Sequence, residues 1–205
     1  MIRPVLVAVL GLLVAACQTS HPPARGEPQG GAAASPAEPA PDFARLRTEF
    51  GDRQDFAALC EHATPLRELF ELASEGEWEG LLEITEPWLE QCPVDIDAQL
   101  LTAVALEKLG RLPESAQHEL WYRGLVQSIL DSGDGRIAAT AFVVISIPEE
   151  YAVLRALGLH VQQQALVEGG IDALTVTSAD GATTVVYFDP AAHFRRLERS
   201  LGGER

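Results

Sequence analysis

Hydrophobic residues repeat with a helical period through residues 42–132. A wide apolar stripe predicts a helix between Gly76 and Pro93, and the next helix ends at Gly110, a residue type that commonly follows a helix. A further helix is predicted over about 113–131. We expect its inward face to carry Ala116, Leu120, Trp121, Val126 and Ile129.

The period changes to that of strands after a turn at residues 131–135. The β-branched and aromatic run at 139–147 predicts a buried strand, and Pro148 starts a short helix that Gly158 ends. Later elements are predicted as strands over 160–167, 173–177 and 183–188 and a last helix ending near Leu201. The fold class is therefore α+β, with helical hairpins followed by a four-stranded, mainly antiparallel sheet and two helices.

The first sixteen residues have the pattern of a secretory signal peptide, with Arg3 ahead of a short apolar run. That run is too short to span a bilayer as a helix. It ends in Val14-Ala15-Ala16-Cys17, which resembles the bacterial lipobox. The resemblance implies acylation and cleavage at Cys17, so that the bilayer becomes a partner of the chain. An ordinary signal peptide is the alternative.

Residues 17–41 are rich in Pro, Ala, Gly and Ser and predict a mobile tether. A proline-rich ligand segment is the alternative. Gln18 directly after the lipidated cysteine favours, by resemblance to Gram-negative sorting, the periplasmic leaflet of the outer membrane. The chain then divides into a leader (1–16), the tether, a helical region (42–132) and an α/β region that contains the sheet, the sheet region (133–205).

The chain is strongly acidic, with a formal net charge of −15 and a pI near 4.6. That sign is wrong for a protein that neutralises phosphates, so nucleic-acid binding is excluded. Residues 42–132 hold nineteen acidic and seven basic residues, and residues 133–205 hold nine and six. The acidic helical region would suit a cationic partner, or its charge serves only solubility.

Two glycines mark a possible repeat in the helical region. Gly76 and Gly110 lie thirty-four residues apart, and Trp78 and Leu112 follow them at equal distance. This is the tetratricopeptide period, and residues 76–110 resemble one such repeat with imperfect neighbours. The resemblance implies peptide or protein binding, although helix pairs of this kind also serve only to pack.

Several short pieces of sequence stand out between about residues 65 and 200. They are Ser132 to Gly135, Thr140 to Ser146, Glu149 to Tyr151, Leu157 to Leu159, Gln164, Asp172, Asp180-Gly181 and Tyr187-Phe188. Together they resemble a bacterial family of domains of unknown function found in secreted proteins and lipoproteins. The resemblance implies an architecture and a location but no activity.

Motifs for catalysis, metals and cofactors are absent from the sequence. It has no Gly-x-Ser-x-Gly, no phosphate-binding loop, no His-Glu-x-x-His and no Cys-x-x-Cys, so we expect no catalytic set, metal or cofactor. Candidates for a cleft remain in Glu149, Glu150, Tyr151 and His193. The helix dipole at the N-terminus that begins with Pro148 explains both glutamates without chemistry.

The cysteines left after lipidation at Cys17 are Cys60 and Cys92. An even pair in an exported protein predicts a disulfide, and two buried thiols are the alternative. The bond would fix the first helix to the end of the following hairpin.

Two functions follow from these patterns. The first is a membrane-anchored lipoprotein of the cell envelope that acts as a non-enzymatic module for binding an envelope protein or peptide. The second is a small periplasmic hydrolase or ligand-binding protein with a site between the helical and sheet regions. A cleft in which titratable groups converge would favour the second.

Overall fold

The computed structural model describes residues 41–61 and 66–202. Seven α-helices and four strands lie in these ranges, which confirms the α+β class. In chain order they are α1 (Phe43–Gly51), α2 (Leu66–Glu75), α3 (Trp78–Gln91), α4 (Ile96–Lys108), α5 (Leu112–Leu130), β1 (Phe142–Val143), α6 (Ile147–Ala156), β2 (His160–Val167), β3 (Ile171–Thr177), β4 (Thr183–Asp189) and α7 (Ala191–Gly202). A single π-helical turn, Ala57–Glu61, follows α1.

Local signals in the sequence set the ends of the first helices. Asp95 caps α4, because its carboxylate accepts a hydrogen bond from the backbone N–H of Ala98 at 3.0 Å. Gly76 and Gly110, which follow α2 and α4, have φ of +80° and +76°. Only glycine adopts this left-handed conformation without strain, so both positions stop a helix.

The four strands form one sheet in the order β1-β4-β3-β2. The β2–β3 and β3–β4 pairs are antiparallel, and β1 lies parallel to β4. Alternation along β3 directs Asp172, Leu174 and Val176 into the protein interior. The strands β1 and β2 form the two edges of the sheet, and most residues of β2 are exposed.

The predicted strand over 139–147 is wrong in extent, because only Phe142 and Val143 are in a strand. The backbone before them forms a loop beside β4, in which Gly135 O accepts a hydrogen bond from the backbone N–H of Tyr187 at 2.9 Å. Thr140 O accepts hydrogen bonds from the backbone N–H groups of Asp134 and Gly135 at 3.0 and 2.8 Å, and these bonds close a loop. The predicted burial is only partly correct, because Phe142, Val144 and Ile145 are buried whereas Ala139, Thr140 and Val143 are exposed, and most of the segment is irregular.

The predicted inward face of α5 is also partly wrong. Val126 and Ile129 are buried, but Ala116 and Leu120 are exposed. The first half of α5 packs on α4, and in the described residues no later helix covers its other side. Apolar periodicity alone does not distinguish a helix that is covered on both sides from one that is not.

One hydrophobic core takes residues from both sides of the turn at 131–135. Its members include Phe43, Phe56, Cys92, Ile96, Leu125, Ile129, Val144, Val153, Leu174 and Phe188. A smaller cluster joins α2, α3 and α4 through Leu69, Leu81, Leu82, Leu101 and Leu106. The helical and sheet regions therefore bury shared apolar surface.

Among residues 41–61 and 66–202, no helix is both long enough and apolar enough to cross a membrane. The leader, Cys17 and most of the tether lie outside the described residues.

Candidate functional site

Glu149 joins the first helix to α6. Its carboxylate accepts hydrogen bonds from Arg47 Nε and Nη2 at 2.9 and 2.7 Å, and both side chains are only 5% exposed. The backbone N–H of Ile145 donates to the same carboxylate at 2.8 Å, and Arg47 also donates to Val143 O at 3.0 Å. Three N–H donors therefore occupy Glu149, and the pair connects the helical and sheet regions.

Glu150 points elsewhere, because successive residues on a helix are about 100° apart. It is fully buried, and neither of its oxygens has a hydrogen-bond partner in the described residues. Burial, followed by the charge of Asp172, raises the pKa of Glu150 to about 9. Asp172 is itself only 4% exposed. The dipole explanation fails for Glu150, because burial dominates and keeps this carboxyl protonated at neutral pH.

Tyr151 lies beside this carboxyl pair at the edge of the sheet. Partial burial, together with the charges of Glu150 and Asp172, raises the pKa of its phenol. Its hydroxyl donates to Gln164 Oε1 on β2 at 2.8 Å. The phenol therefore helps to attach α6 to the exposed edge strand.

His193 lies apart from these residues, in a cleft of about 470 Å³ between the π-helical turn and α7. Its Nδ1 is 3.1 Å from Glu61 Oε1, which also accepts a hydrogen bond from Arg196 Nη2 at 2.6 Å. Arg196 Nη1 donates to Gly51 O at 2.8 Å, and Nη2 also donates to Ile145 O. The four predicted cleft residues therefore do not converge on one site.

A second groove of about 430 Å³ lies between α3, α4 and α5. It is lined by Glu86, Leu89, Glu90, Pro93, Gln99, Gln117, His118 and Trp121. His118 Nδ1 lies 2.8 Å from Gln99 Oε1, and partial burial lowers the pKa of this imidazole. Carboxylates and one half-buried indole therefore share one groove.

The disulfide candidates are close in space. Cys60 in the π-helical turn and Cys92 after α3 form a disulfide with a Cα–Cα distance of 5.6 Å. The bond therefore connects the π-helical turn, next to the His193 cleft, with the loop between α3 and α4. In the described residues, no group of three or more His, Cys, Asp and Glu side chains is placed to hold a metal ion.

Sequence reasoning missed the partners of these residues. Asp172 carried a usable signal, because it occupies an inward position of an alternating strand whose predicted start was two residues too late. Arg47, Glu61 and Arg196 lie far from their partners in sequence, and no local pattern identifies them. Ion pairs of this kind follow from tertiary packing alone.

The comparisons with known proteins give one positive result. Residues 49–198 match a family described as a domain of unknown function, DUF4919. No curated protein matches the chain, and no solved structure does. The match covers most of the helical region and nearly all of the sheet region, and so the chain belongs to the DUF4919 family.

Proposed function

We propose that this protein is a lipid-anchored component of the bacterial cell envelope that binds a cationic segment of another envelope protein. The anchor is Cys17 of the lipobox, residues 18–41 form the tether, and the periplasmic leaflet of the outer membrane is the expected location. The helical part acts as a tetratricopeptide-like binding module, and the role is not enzymatic. The acidic groove between α3, α4 and α5 carries the proposal.

A stripe of four glutamates runs along α3, and the last two of them line the groove. Residues spaced by three or four positions lie on one helix face, and all four members of this stripe are exposed. They are Glu79, Glu83, Glu86 and Glu90. Glu86 has a neighbour in Arg111 at 3.5 Å, whereas Glu90 has no ion-pair partner in the described part of the chain. The border of the groove thus carries negative charge that a partner can neutralise.

The surrounding charge has the same sign. Residues 66–91 contain eight glutamates and one arginine, a net charge of −7 out of −15 for the chain. A field of this kind attracts cationic segments and raises their association rate. Trp121 lines the groove beside the carboxylates, and indole faces bind guanidinium and ammonium groups. An arginine or lysine side chain therefore suits this groove.

The test is a site-specific photo-cross-link in living cells. A photoreactive residue replaces Gln117, which is exposed and lines the groove. We expect a discrete product that is lost when Glu86→Lys and Glu90→Lys are combined. The matched control changes net charge equally through Glu168→Lys and Glu198→Lys, outside the groove, and should retain the product. No product, or a product that survives in the groove variant, refutes the proposed binding.

The anchor is tested separately. Metabolic labelling with an alkyne analogue of palmitate should label the native chain, and Cys17→Ala should remove the label. Equal labelling of both forms would contradict lipidation at Cys17. The labelling experiment does not involve the groove, so lipidation at Cys17 and partner binding at the groove are tested separately.

A ligand-binding role is the second candidate, and the His193 cleft favours it. The surroundings of Glu149 and Glu150 argue against an acid–base role for them. The carboxylate of Glu149 accepts hydrogen bonds from three N–H groups, and Glu150 is fully buried. Neither carboxylate is therefore placed to reach a substrate in this structure.

A further inference from the structure

The cleft beside His193 is built on the most basic element of an acidic chain. The helix α7 contains three arginines and one glutamate, although the whole chain has a net charge of −15. Two of these arginines line the cleft, and its other lining residues are Gln54, Ala57, Glu61, His193, Leu197 and Ser200. Positive charge is thus concentrated where the chain also leaves a space of about 470 Å³.

Arg196 forms the fixed base of this cleft. It is only 7% exposed, and its guanidinium lies 4.2 Å from the centre of the Phe56 ring. Hydrogen bonds to Gly51 O and Glu61 hold the group in one orientation, while its Nε is buried without a hydrogen-bond partner in the described residues. Arg196 therefore neutralises the charge of Glu61 within the wall of the cleft.

Arg199 lies one helical turn beyond Arg196. It is exposed, and it has no ion-pair partner in the part of the chain that the structure describes. His193 directs its Nδ1 N–H at the Glu61 carboxylate, so Nε2 of the neutral ring is an acceptor and adds no donor to the cleft. Gln54, which precedes the π-helical turn, also lines the cleft, and its side-chain amide can donate hydrogen bonds. Several donors and one uncompensated cation therefore surround the same space.

We propose that this cleft binds a phosphoryl group. Its oxygens accept hydrogen bonds from Arg199 and Gln54, and arginine matches the geometry of such an oxyanion well. Leu197 lies on the rim and is 46% exposed, so it provides an apolar contact for the rest of the ligand. The ligand is a free phosphate or a lipid headgroup, and the experiment separates the two.

The experiment uses the full-length chain in micelles of a neutral detergent. Calorimetric titrations are made with inorganic phosphate and with micelles that contain phosphatidic acid, against micelles that contain the zwitterionic phosphatidylcholine. Arg199→Gln should weaken phosphate-dependent binding about tenfold, which corresponds to about 1.4 kcal/mol. Arg195→Gln is the matched control, because Arg195 is exposed on α7 but lies outside the cleft. It should leave the affinity unchanged.

Each outcome has a defined meaning. Binding of inorganic phosphate identifies a free phosphate site, whereas binding only to phosphatidic acid identifies a lipid headgroup site. No heat with either probe overturns the proposal, as does an equal loss in the two arginine variants. The variant with Glu86→Lys and Glu90→Lys should bind as the native chain does, because the cleft and the groove share no residue. The absence of phosphate binding at the cleft can therefore be distinguished from the absence of partner binding at the groove.

Discussion

Replacing Glu150 with glutamine removes a carboxyl group that the fold holds in its protonated form. The pKa of this group is about 9 in the folded chain and 4.5 in its ordinary state. Between these values the folded protein binds a proton that the unfolded protein releases. The free energy of unfolding therefore falls by about 1.4 kcal/mol for each pH unit as the pH rises through this window.

The size of the effect follows from this slope. At pH 7 the native chain is about 3 kcal/mol less stable than a chain in which this group is uncharged in both the folded and the unfolded state. Glutamine has nearly the same shape and can donate a hydrogen bond from its amide to Asp172. We expect Glu150→Gln to be more stable by up to about 3 kcal/mol at pH 7. The advantage should shrink towards zero near pH 4.5, the ordinary pKa of the group.

The assay is urea unfolding at a series of pH values between about 5 and 8, followed by tryptophan fluorescence. The difference in unfolding free energy between Glu150→Gln and the native chain should grow with pH. Glu168→Gln, in the exposed turn between β2 and β3, is the control and should keep the native pH dependence. Parallel pH profiles for Glu150→Gln and the native chain would refute the reasoning, because they would mean that Glu150 gives up its proton normally in the folded state.

Three further changes test the packing. Arg47→Met leaves Glu149 charged and buried without its partner, so urea unfolding should show a loss of about 3–5 kcal/mol. The pair Cys60→Ala and Cys92→Ala opens a loop with a sequence separation of 32, and the chain-entropy account gives a loss of about 4 kcal/mol, measured against the oxidised native chain. Non-reduced mass spectrometry with both thiols free to alkylate would contradict the bond. Gly124→Ala brings a methyl group to 2.1 Å from an aromatic ring, so the melting temperature should fall with a loss of about 1–3 kcal/mol.

Much of the fold could be predicted because the information is local. Asp95, Gly76 and Gly110 determine helix ends through their own backbone and side-chain chemistry. Alternation and the turn at Asp180-Gly181 similarly indicate the hairpin of β3 and β4. The strand at 139–147 could not be predicted in detail, because its hydrogen bonds go to a loop whose position depends on tertiary contacts.

The candidate sites were less accessible from the sequence. The acidic character of residues 66–91 is visible in the composition, so the chemistry of the groove was expected in general terms. The groove itself was not expected, because Trp121 and Glu90 line the same space only when α3 and α5 both pack on α4. The basic cleft was not predicted, because the composition of the chain gives no sign of it. The three arginines of α7 do not stand out in a chain with a net charge of −15, and only the fold places two of them, Arg196 and Arg199, in one cleft with Glu61.

Arginines at the boundary between the helical and sheet regions explain why these regions behave as one body. Arg47 connects α1 to α6, Arg155 on α6 donates two hydrogen bonds to Asp97 on α4, and Arg196 on α7 binds Gly51 O and Glu61. Each ties one region to the other through a buried or half-buried carboxylate. Loss of one partner leaves a buried charge, so rotation of the two regions against each other is costly. Binding at the groove and binding at the cleft should therefore act on a rigid protein rather than open it.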